Sequence, residues 1–244
     1  MNTDKKTFYC LRFLLPLRCV IFFLIFAAGA ALTKQKTEDI SNWWSIAASA
    51  VNIAVILLLY FIAKKNKSSY AKLINYEKGK TKAGQIIGIS ALTAGVGMAG
   101  MYAAGYFCYG IIPYAAPMMI APIPVWLAAV NVAVLPVTTA LAEEGLYLGC
   151  GVNQIQNNIL AIIVPAFFFA LQHCFIPMLF DLRYIVYRFI SFLPLTLILC
   201  WYYRKKRNPL PVMTGHAIID LATALQILAT SAVPGLYETM CRNG

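Results

Sequence analysis

The stretch MMIAPIPVWLAAVNVAVLPVTTALAEEGLYLGCGV, residues 118–152, decides how this chain folds. It is longer than the ~20 apolar residues that cross a bilayer as a helix, yet it contains two adjacent carboxylates, Glu143 and Glu144. Between Lys82 and Asp181 these glutamates are the only Asp, Glu, Lys or Arg residues. Because an ionisable group inside an apolar span is costly, the pair indicates a functional site.

The composition extends this picture to most of the chain. Hydrophobic residues make up 61% of its 244 residues, whereas soluble domains contain about half. A soluble domain of this length could not bury so much apolar surface in one core, so we expect lipid around much of the chain. The net charge of +11 comes from short basic tracts between apolar runs, which is typical of membrane loops and argues against nucleic-acid binding.

We predict an all-α fold, a polytopic transmembrane bundle of seven to eight helices. Pro122, Pro124 and Pro136 can each kink the fourth candidate span, and a break there would create the eighth membrane segment. The candidate spans are residues 13–32, 44–63, 84–107, 118–152, 158–180, 184–203 and 210–231.

The cysteines and the N-terminus add two exclusions. The seven cysteines have no Cys-x-x-Cys spacing, so neither a disulfide framework nor a zinc knuckle is predicted. Lys5 and Lys6 followed by an apolar run resemble a signal peptide. The length of the run 19–32 and the many later spans favour a retained first helix instead.

Lysine and arginine set the predicted orientation. They concentrate at Lys5, Lys6 and Arg12, in the loop 64–82 after the second span, and in the tract 204–207 after the sixth. Seven spans place these three segments on one side. The positive-inside rule then predicts a multi-pass protein with its N-terminus in the cytoplasm and its C-terminus on the opposite side.

Five ionisable residues lie in three of the predicted spans: Glu143 and Glu144, then His173, then His216 and Asp220. They include both histidines of the chain. His216 and Asp220 are four residues apart and share a helix face, whereas adjacent Glu143 and Glu144 diverge by about 100°. A glutamate base beside a histidine can activate water for hydrolysis. Glu143, His173 and His216 are also candidate ligands of a divalent metal such as zinc, although a site without a cofactor is equally open.

Other interpretations of the same residues remain. A histidine within a span often only bonds a neighbouring helix. A carboxylate pair can also serve a proton-coupled transporter, and a non-catalytic membrane scaffold is a third alternative. Because five such residues together carry a large desolvation cost, a functional cluster is favoured. Counting the helix rise from the cytoplasmic ends of the spans places these residues inside the membrane, and we therefore expect a buried cavity that opens to the cytoplasm. The same count places His173 deeper than Glu143, so the fifth span must tilt or start later to bring the two level.

The chain resembles the CPBP family of intramembrane endopeptidases, the CAAX proteases and bacteriocin-processing enzymes, also called Abi. That family has Glu-Glu-x-x-x-Arg, then Phe-x-x-x-His, then His-x-x-x-Asn or Asp in successive membrane helices. The resemblance covers residues 118–230 and includes the stretch 208–211 before the last motif. The corresponding residues are Glu143-Glu144-Gly145-Leu146-Tyr147-Leu148, Phe169-Ala170-Leu171-Gln172-His173 and His216-Ala217-Ile218-Ile219-Asp220.

The resemblance implies a role for each matched residue. Glu143 would activate the attacking water together with His173, and Glu144 would support it. His216 would stabilise the tetrahedral intermediate with Asp220. The implied partners are the lipid bilayer and a membrane-associated peptide or protein, prenylated or leader-bearing. The chain would divide into N-terminal helices with a basic loop, residues 1–117, and a protease-like core, residues 118–231.

Two positions depart from the family pattern. Leu148 stands where the family has arginine, so the glutamates lack their usual counter-charge, and we consider Arg183 or Arg188 as spatial replacements. Asp220 stands where asparagine is common. An ionised carboxylate cannot donate to an oxyanion, so Asp220 is predicted to orient His216 or to bind a metal.

Overall fold

Helices form the fold throughout the residues that the computed structural model describes, 13–112 and 116–242, and these ranges contain no strand. The predicted all-α class is therefore confirmed. Lys5, Lys6 and Arg12, used above to predict orientation, lie outside the described residues. The helices are α1 (Leu17–Thr33), α2 (Thr37–Ser41), α3 (Trp44–Lys65), α4 (Tyr70–Leu73), α5 (Ala83–Tyr109), a 3₁₀ turn (Pro117–Ile120), α6 (Val125–Glu144), a π-helical segment (Gly145–Val152), α7 (Leu160–Gln172), α8 (Leu182–Lys206), α9 (Leu210–Ala232) and α10 (Leu236–Arg242).

Each of the seven predicted spans corresponds to a helix. Among the described residues, five helices are long and apolar enough to cross a membrane, namely α3, α5, α6 with its π-helical continuation, α8 and α9. The apolar helices α1 and α7 are shorter, at 17 and 13 residues. The bundle is thus consistent with the predicted seven to eight helices.

The fourth span begins later than predicted. Pro122 and Pro124 precede the helix, which begins at Val125, and only Pro136 lies inside it. Proline disfavours helical backbone at the residue before it, which accounts for the extended chain between the 3₁₀ turn and α6. After Glu144 the hydrogen-bonding pattern changes to a π-helix. Such segments are frequent at functional sites.

The fifth span is shorter than the predicted range 158–180. It begins at Leu160 and ends at Gln172, and His173 is its C-terminal cap. The chain then turns through residues 173–181 before α8. Pro177 cannot donate a backbone hydrogen bond and restricts the residue before it, so the helix does not continue into this segment. The N-terminus of α8 is capped by Asp181, whose side chain accepts from two backbone N–H groups of the first turn.

The long helices pack against one another in a small set of pairs. Helix α6 packs against α3 and α9, while α5 packs against α8 and α9, and α7 packs against α8. Two glycines allow close approach. A Cβ at Gly100 would lie 2.5 Å from the backbone oxygen of Ser191, and a Cβ at Gly145 would lie 2.6 Å from the Tyr70 hydroxyl. The latter contact seats the short helix α4 against the chain directly after the two glutamates.

The basic segments meet at one end of the bundle. In the loop 64–82, Asn75 donates to Asn153 Oδ1 at 2.8 Å and to the Tyr203 hydroxyl at 3.1 Å. Arg204 donates to the backbone oxygen of Val152 at 3.0 Å. The beginning of the described chain lies here too, because Leu15 would be 3.2 Å from a Cβ at Gly151.

Candidate functional site

The five predicted residues come together between α6, α7 and α9. Glu143 and Glu144 end α6, His173 follows α7, and His216 and Asp220 lie in α9. All but Glu144 line a cavity of about 70 Å³. A cavity of that volume can hold a few water molecules. The fifth span starts later, as the predicted depths of the two residues required, because α7 begins two residues after its predicted position. His173 reaches the depth of Glu143, since His173 Nε2 lies 3.9 Å from Glu143 Oε2.

Glu143 has two oxygens in different surroundings. Oε1 accepts a hydrogen bond from Arg18 Nη2 at 2.7 Å. Oε2 has no hydrogen-bond partner among the described residues, and it lies 3.9 Å from His173 Nε2 and 3.8 Å from His216 Nε2. Because both distances are too long for direct hydrogen bonds, they suit a bridging water. One oxygen is therefore anchored and the other is free to act on a small molecule in the cavity.

Glu144 fixes the ring of His216. Its Oε1 lies 2.7 Å from His216 Nδ1, and with Glu144 as the carboxylate, the Nδ1–H is the donor. This contact turns His216 Nε2 toward Glu143, and Asp220 Oδ2 lies 3.7 Å from the same nitrogen. The sequence predicted that Asp220 orients His216, whereas Glu144 makes the short contact. The 100° divergence of the two glutamates is what lets each face a different partner.

Aromatic rings and a buried arginine hold His173. Its ring stacks on Phe192 with centroids 3.7 Å apart, and Phe169 lies at 6.1 Å with an interplanar angle of 24°. Arg188 donates to the backbone oxygens of His173 at 3.0 Å and Ile176 at 2.7 Å. These contacts restrict the imidazole while its Nε2 faces Glu143.

Arg18 is the site residue that the sequence analysis missed. It is fully buried in α1 and donates from three nitrogens: Nη2 to Glu143, Nη1 to Asn52 Oδ1 at 2.7 Å, and Nε to Gln172 Oε1 at 2.5 Å. The signal was present, because an isolated arginine inside the predicted span 13–32 is as costly as the glutamates in theirs.

The predicted replacements for the family arginine were wrong. Arg188 donates to the backbone carbonyls near His173, and the guanidinium of Arg183 lies 5.8 Å from the ring centroid of Tyr109. Among the described residues, the arginine paired with Glu143 is Arg18.

A further set of hydrogen bonds, next to Glu143 and His173, connects α1 to α7. Tyr147 donates to Gln172 Oε1 at 3.0 Å, and its ring stacks on Phe169 with centroids 4.6 Å apart. Gln172 therefore accepts from both Tyr147 and Arg18, and it directly precedes His173. The position of His173 is thus coupled, through Gln172, to Arg18, which holds Glu143.

The candidate metal ligands Glu143, His173 and His216 do not have metal-binding geometry. Within the described ranges, no group of three His, Cys, Asp or Glu side chains is arranged to hold a metal ion. The separations of 3.8 and 3.9 Å around Glu143 Oε2 exceed the ~3.4 Å between ligands of a tetrahedral zinc ion with bonds of about 2.05 Å.

Residues 124–222 match a family model described as type II CAAX prenyl endopeptidase Rce1-like. The matched range includes all five predicted site residues, and over that range it confirms the predicted resemblance to the CPBP family. No curated protein and no solved structure matches the chain significantly. Together with the five apolar helices, the match supports an integral membrane protein and, at the level of the family, a CAAX-type intramembrane protease.

Proposed function

We propose that this chain, whose residues 124–222 match the Rce1-like CAAX prenyl endopeptidase family, is an intramembrane endopeptidase that hydrolyses a peptide bond of a membrane-associated peptide. One observation carries the proposal. Glu143 is anchored through Oε1, while its unpartnered Oε2 faces the Nε2 atoms of two histidines across a cavity of water size. This is the arrangement that general-base activation of a water requires.

The proposed reaction begins with a water held between Glu143 and His173. Glu143 Oε2 takes a proton from this water as its oxygen attacks the scissile carbonyl carbon, which forms a carbon–oxygen bond. His216, oriented by Glu144 and protonated on both ring nitrogens, donates from its Nε2–H to the carbonyl oxygen and stabilises the charge that develops there. The carbon–nitrogen bond then breaks, and the proton moves from Glu143 to the leaving amine. The products are a new carboxyl terminus and a new amine.

The surroundings of the cavity agree with a substrate that is partly lipid-like. Besides the Glu143, His173, His216 and Asp220 cluster, the lining combines the polar Thr139, Arg188 and Thr223 with a larger apolar and aromatic group that includes Trp44, Met119, Leu135, Phe192 and Ile219. The apolar part of this lining suits a hydrophobic segment beside the scissile bond, whereas a cavity of about 70 Å³ has no room for a prenyl group. The family match supports a prenylated C-terminal peptide as the first substrate to test.

The pairing of Glu143 with Arg18 bears on the scaffold alternative. That alternative rested on Leu148, which removes the counter-charge that the family motif provides. Since Arg18 provides a guanidinium to Glu143 at 2.7 Å, the loss of the motif arginine does not by itself argue for an inactive site.

Replacing Asp220 with asparagine is expected to preserve cleavage. Asp220 Oδ2 lies 3.7 Å from His216 Nε2, beyond hydrogen-bond range, and Glu144 already holds the ring. The change also restores the amide that is common in the family. We expect kcat within about tenfold of wild type, the equivalent of one weak hydrogen bond. Steady-state cleavage kinetics of Asp220→Asn measure this. A loss as large as that of Glu143→Ala would instead make Asp220 indispensable.

The N-terminus is proposed to face the cytoplasm. The loop 64–82 and the tract 204–207 meet at the same end of the bundle as the beginning of the described chain, which agrees with the positive-inside rule. We expect protease added outside sealed cells to remove a C-terminal tag and to spare an N-terminal tag. The opposite pattern would reverse the orientation.

The function is tested with the purified protein in liposomes and a panel of membrane-tethered peptides. The panel contains a farnesylated C-terminal peptide, the same peptide without the lipid, and a leader-bearing peptide. Mass spectrometry of the products should detect one defined cut by the wild type and none by Glu143→Ala or His173→Ala. Cleavage that survives both substitutions, or its absence from the wild type with every peptide, would refute the proposal.

A further inference from the structure

Position 148 holds no charge that could serve the glutamates. Leu148 is fully buried and belongs to the apolar core, within the π-helical segment that follows Glu144. The motif that the chain otherwise matches has an arginine here. A buried carboxylate needs compensation from another part of the protein, because leaving it unpaired in an apolar bundle is strongly unfavourable.

Arg18 lies outside the matched residues 124–222 and provides this compensation from α1. Its guanidinium is completely buried, and its charge is met by Glu143, Asn52 and Gln172. These three partners come from α6, α3 and α7, so one planar group connects four helices. The guanidinium carbon of Arg18 lies 5.2 Å from the ring centroid of Phe22, and this contact further limits the movement of the side chain.

The pattern of these bonds relates Arg18 to the reacting atoms. Nη2 holds Oε1 of Glu143, which leaves Oε2 facing the cavity. Nε holds Gln172, whose neighbour His173 presents Nε2 to the same Oε2 at 3.9 Å. Because a guanidinium is rigid and planar, the two contacts fix the proposed base and its histidine partner relative to one another.

We infer that Arg18 is a positioning residue for the proposed reaction, and that the N-terminal helix thereby provides in space what the family motif provides at position 148. The inference rests on the proposed function of Glu143 and extends it to a part of the chain outside the family match. A protein cut down to residues 118–231 would accordingly lack an essential part of its active site.

The test compares Arg18→Gln, Arg18→Lys and Arg18→Gln/Leu148→Arg by steady-state cleavage in liposomes. Arg18→Gln keeps some hydrogen-bonding capacity but removes the positive charge and the planar set of N–H donors of the guanidinium. We expect its kcat to fall about 100-fold, as for a misplacement of about 1 Å at the reacting centre, with KM nearly unchanged. Arg18→Lys keeps the charge without the planar geometry, so its kcat should lie between wild type and Arg18→Gln. The kcat of the double variant should be at least about tenfold higher than that of Arg18→Gln. The arginine at position 148 would restore the interaction that Arg18→Gln removes, so the effects of the two substitutions should not be additive.

The matched control is Phe26→Leu, which alters the buried face of the same helix without touching Glu143. Phe26 is 1% exposed and stacks on Phe22. Its kcat should stay within about threefold of wild type, because the change is a hydrophobic substitution of moderate size. Thermal melting of every variant in detergent identifies those that fold. If Arg18→Gln does not fold, the comparison of Arg18→Lys with Phe26→Leu decides the question.

Three outcomes would overturn the inference while leaving the proposed function intact. The first is that Arg18→Gln folds and cleaves like wild type. The second is a loss confined to KM. The third is a folded double variant that is no better than Arg18→Gln, which would reject the replacement of position 148. A failure of the proposed function is recognised separately, because wild type and Glu143→Gln would then behave alike.

Discussion

Glu143→Gln is expected to lower kcat for peptide cleavage by about three orders of magnitude, the middle of the range for losing a general base. Glutamine has nearly the same shape as glutamate, and its carbonyl oxygen can still accept from Arg18. Because the substitution leaves the buried Arg18 charge without its carboxylate, thermal melting must show that the variant folds. The amide cannot take a proton from water, so the unpartnered position now occupied by Oε2 loses its function. KM should change little, because the substitution removes an interaction realised in the transition state.

The control for this substitution is Glu77→Gln. Glu77 is exposed, pairs with Lys80 at 3.0 Å in the basic loop, and undergoes the same chemical change. Its kinetics should match wild type. The activity of Glu143→Gln is measured with the farnesylated peptide under single-turnover conditions, which separates chemistry from product release. A single-turnover rate within tenfold of wild type would mean that Glu143 is not the base.

His173→Gln is expected to lower kcat by about two to three orders of magnitude. Glutamine loses the stacking on Phe192, which holds the imidazole with ring centroids 3.7 Å apart, so it cannot keep a hydrogen-bonding atom fixed beside the water. Phe167→Leu is the control, on helix α7, which ends directly before His173. Phe167 is 43% exposed on the outside of the bundle, so its substitution should leave the cleavage rate near that of wild type.

Combining the two site substitutions sharpens the test. If His173 and Glu143 activate the same water, Glu143→Gln/His173→Gln should be no slower than the slower single variant, because groups acting as a unit are strongly non-additive. Multiplied losses in the double variant would instead mean that the two residues serve separate steps. Such a result would contradict the shared water while preserving the importance of each residue.

Much of this organisation follows from local sequence. Apolar runs separated by basic tracts predict the helices, because a bilayer demands about 20 apolar residues for each crossing. The same reasoning singled out Glu143, His173 and His216, since few ionisable residues interrupt those runs. That logic works wherever the physical cost of a residue can be judged from its immediate neighbours in the chain. The division of the chain into N-terminal helices and a protease-like core, between residues 117 and 118, stays a prediction.

The missed features depend on contacts that no local pattern contains. Arg18 meets Glu143 across 125 positions of sequence, and nothing near Leu148 indicates where its replacement lies. The early end of α7 reflects Pro177 and the turn after His173, which apolar composition conceals. Likewise, spacing alone paired Asp220 with His216, whereas the bundle brings Glu144 from another helix to the closer position.

The Glu143 cluster is proposed to add water to a peptide bond inside the membrane. Single-turnover cleavage of the farnesylated peptide in heavy-oxygen water tests it most directly, with mass spectrometry of both fragments. The proposed mechanism predicts that wild type transfers one heavy oxygen to the new carboxyl terminus and that Glu143→Gln releases no fragment in the same time. Intact peptide with the folded wild-type protein, or a released fragment whose new carboxyl lacks the heavy oxygen, would contradict it.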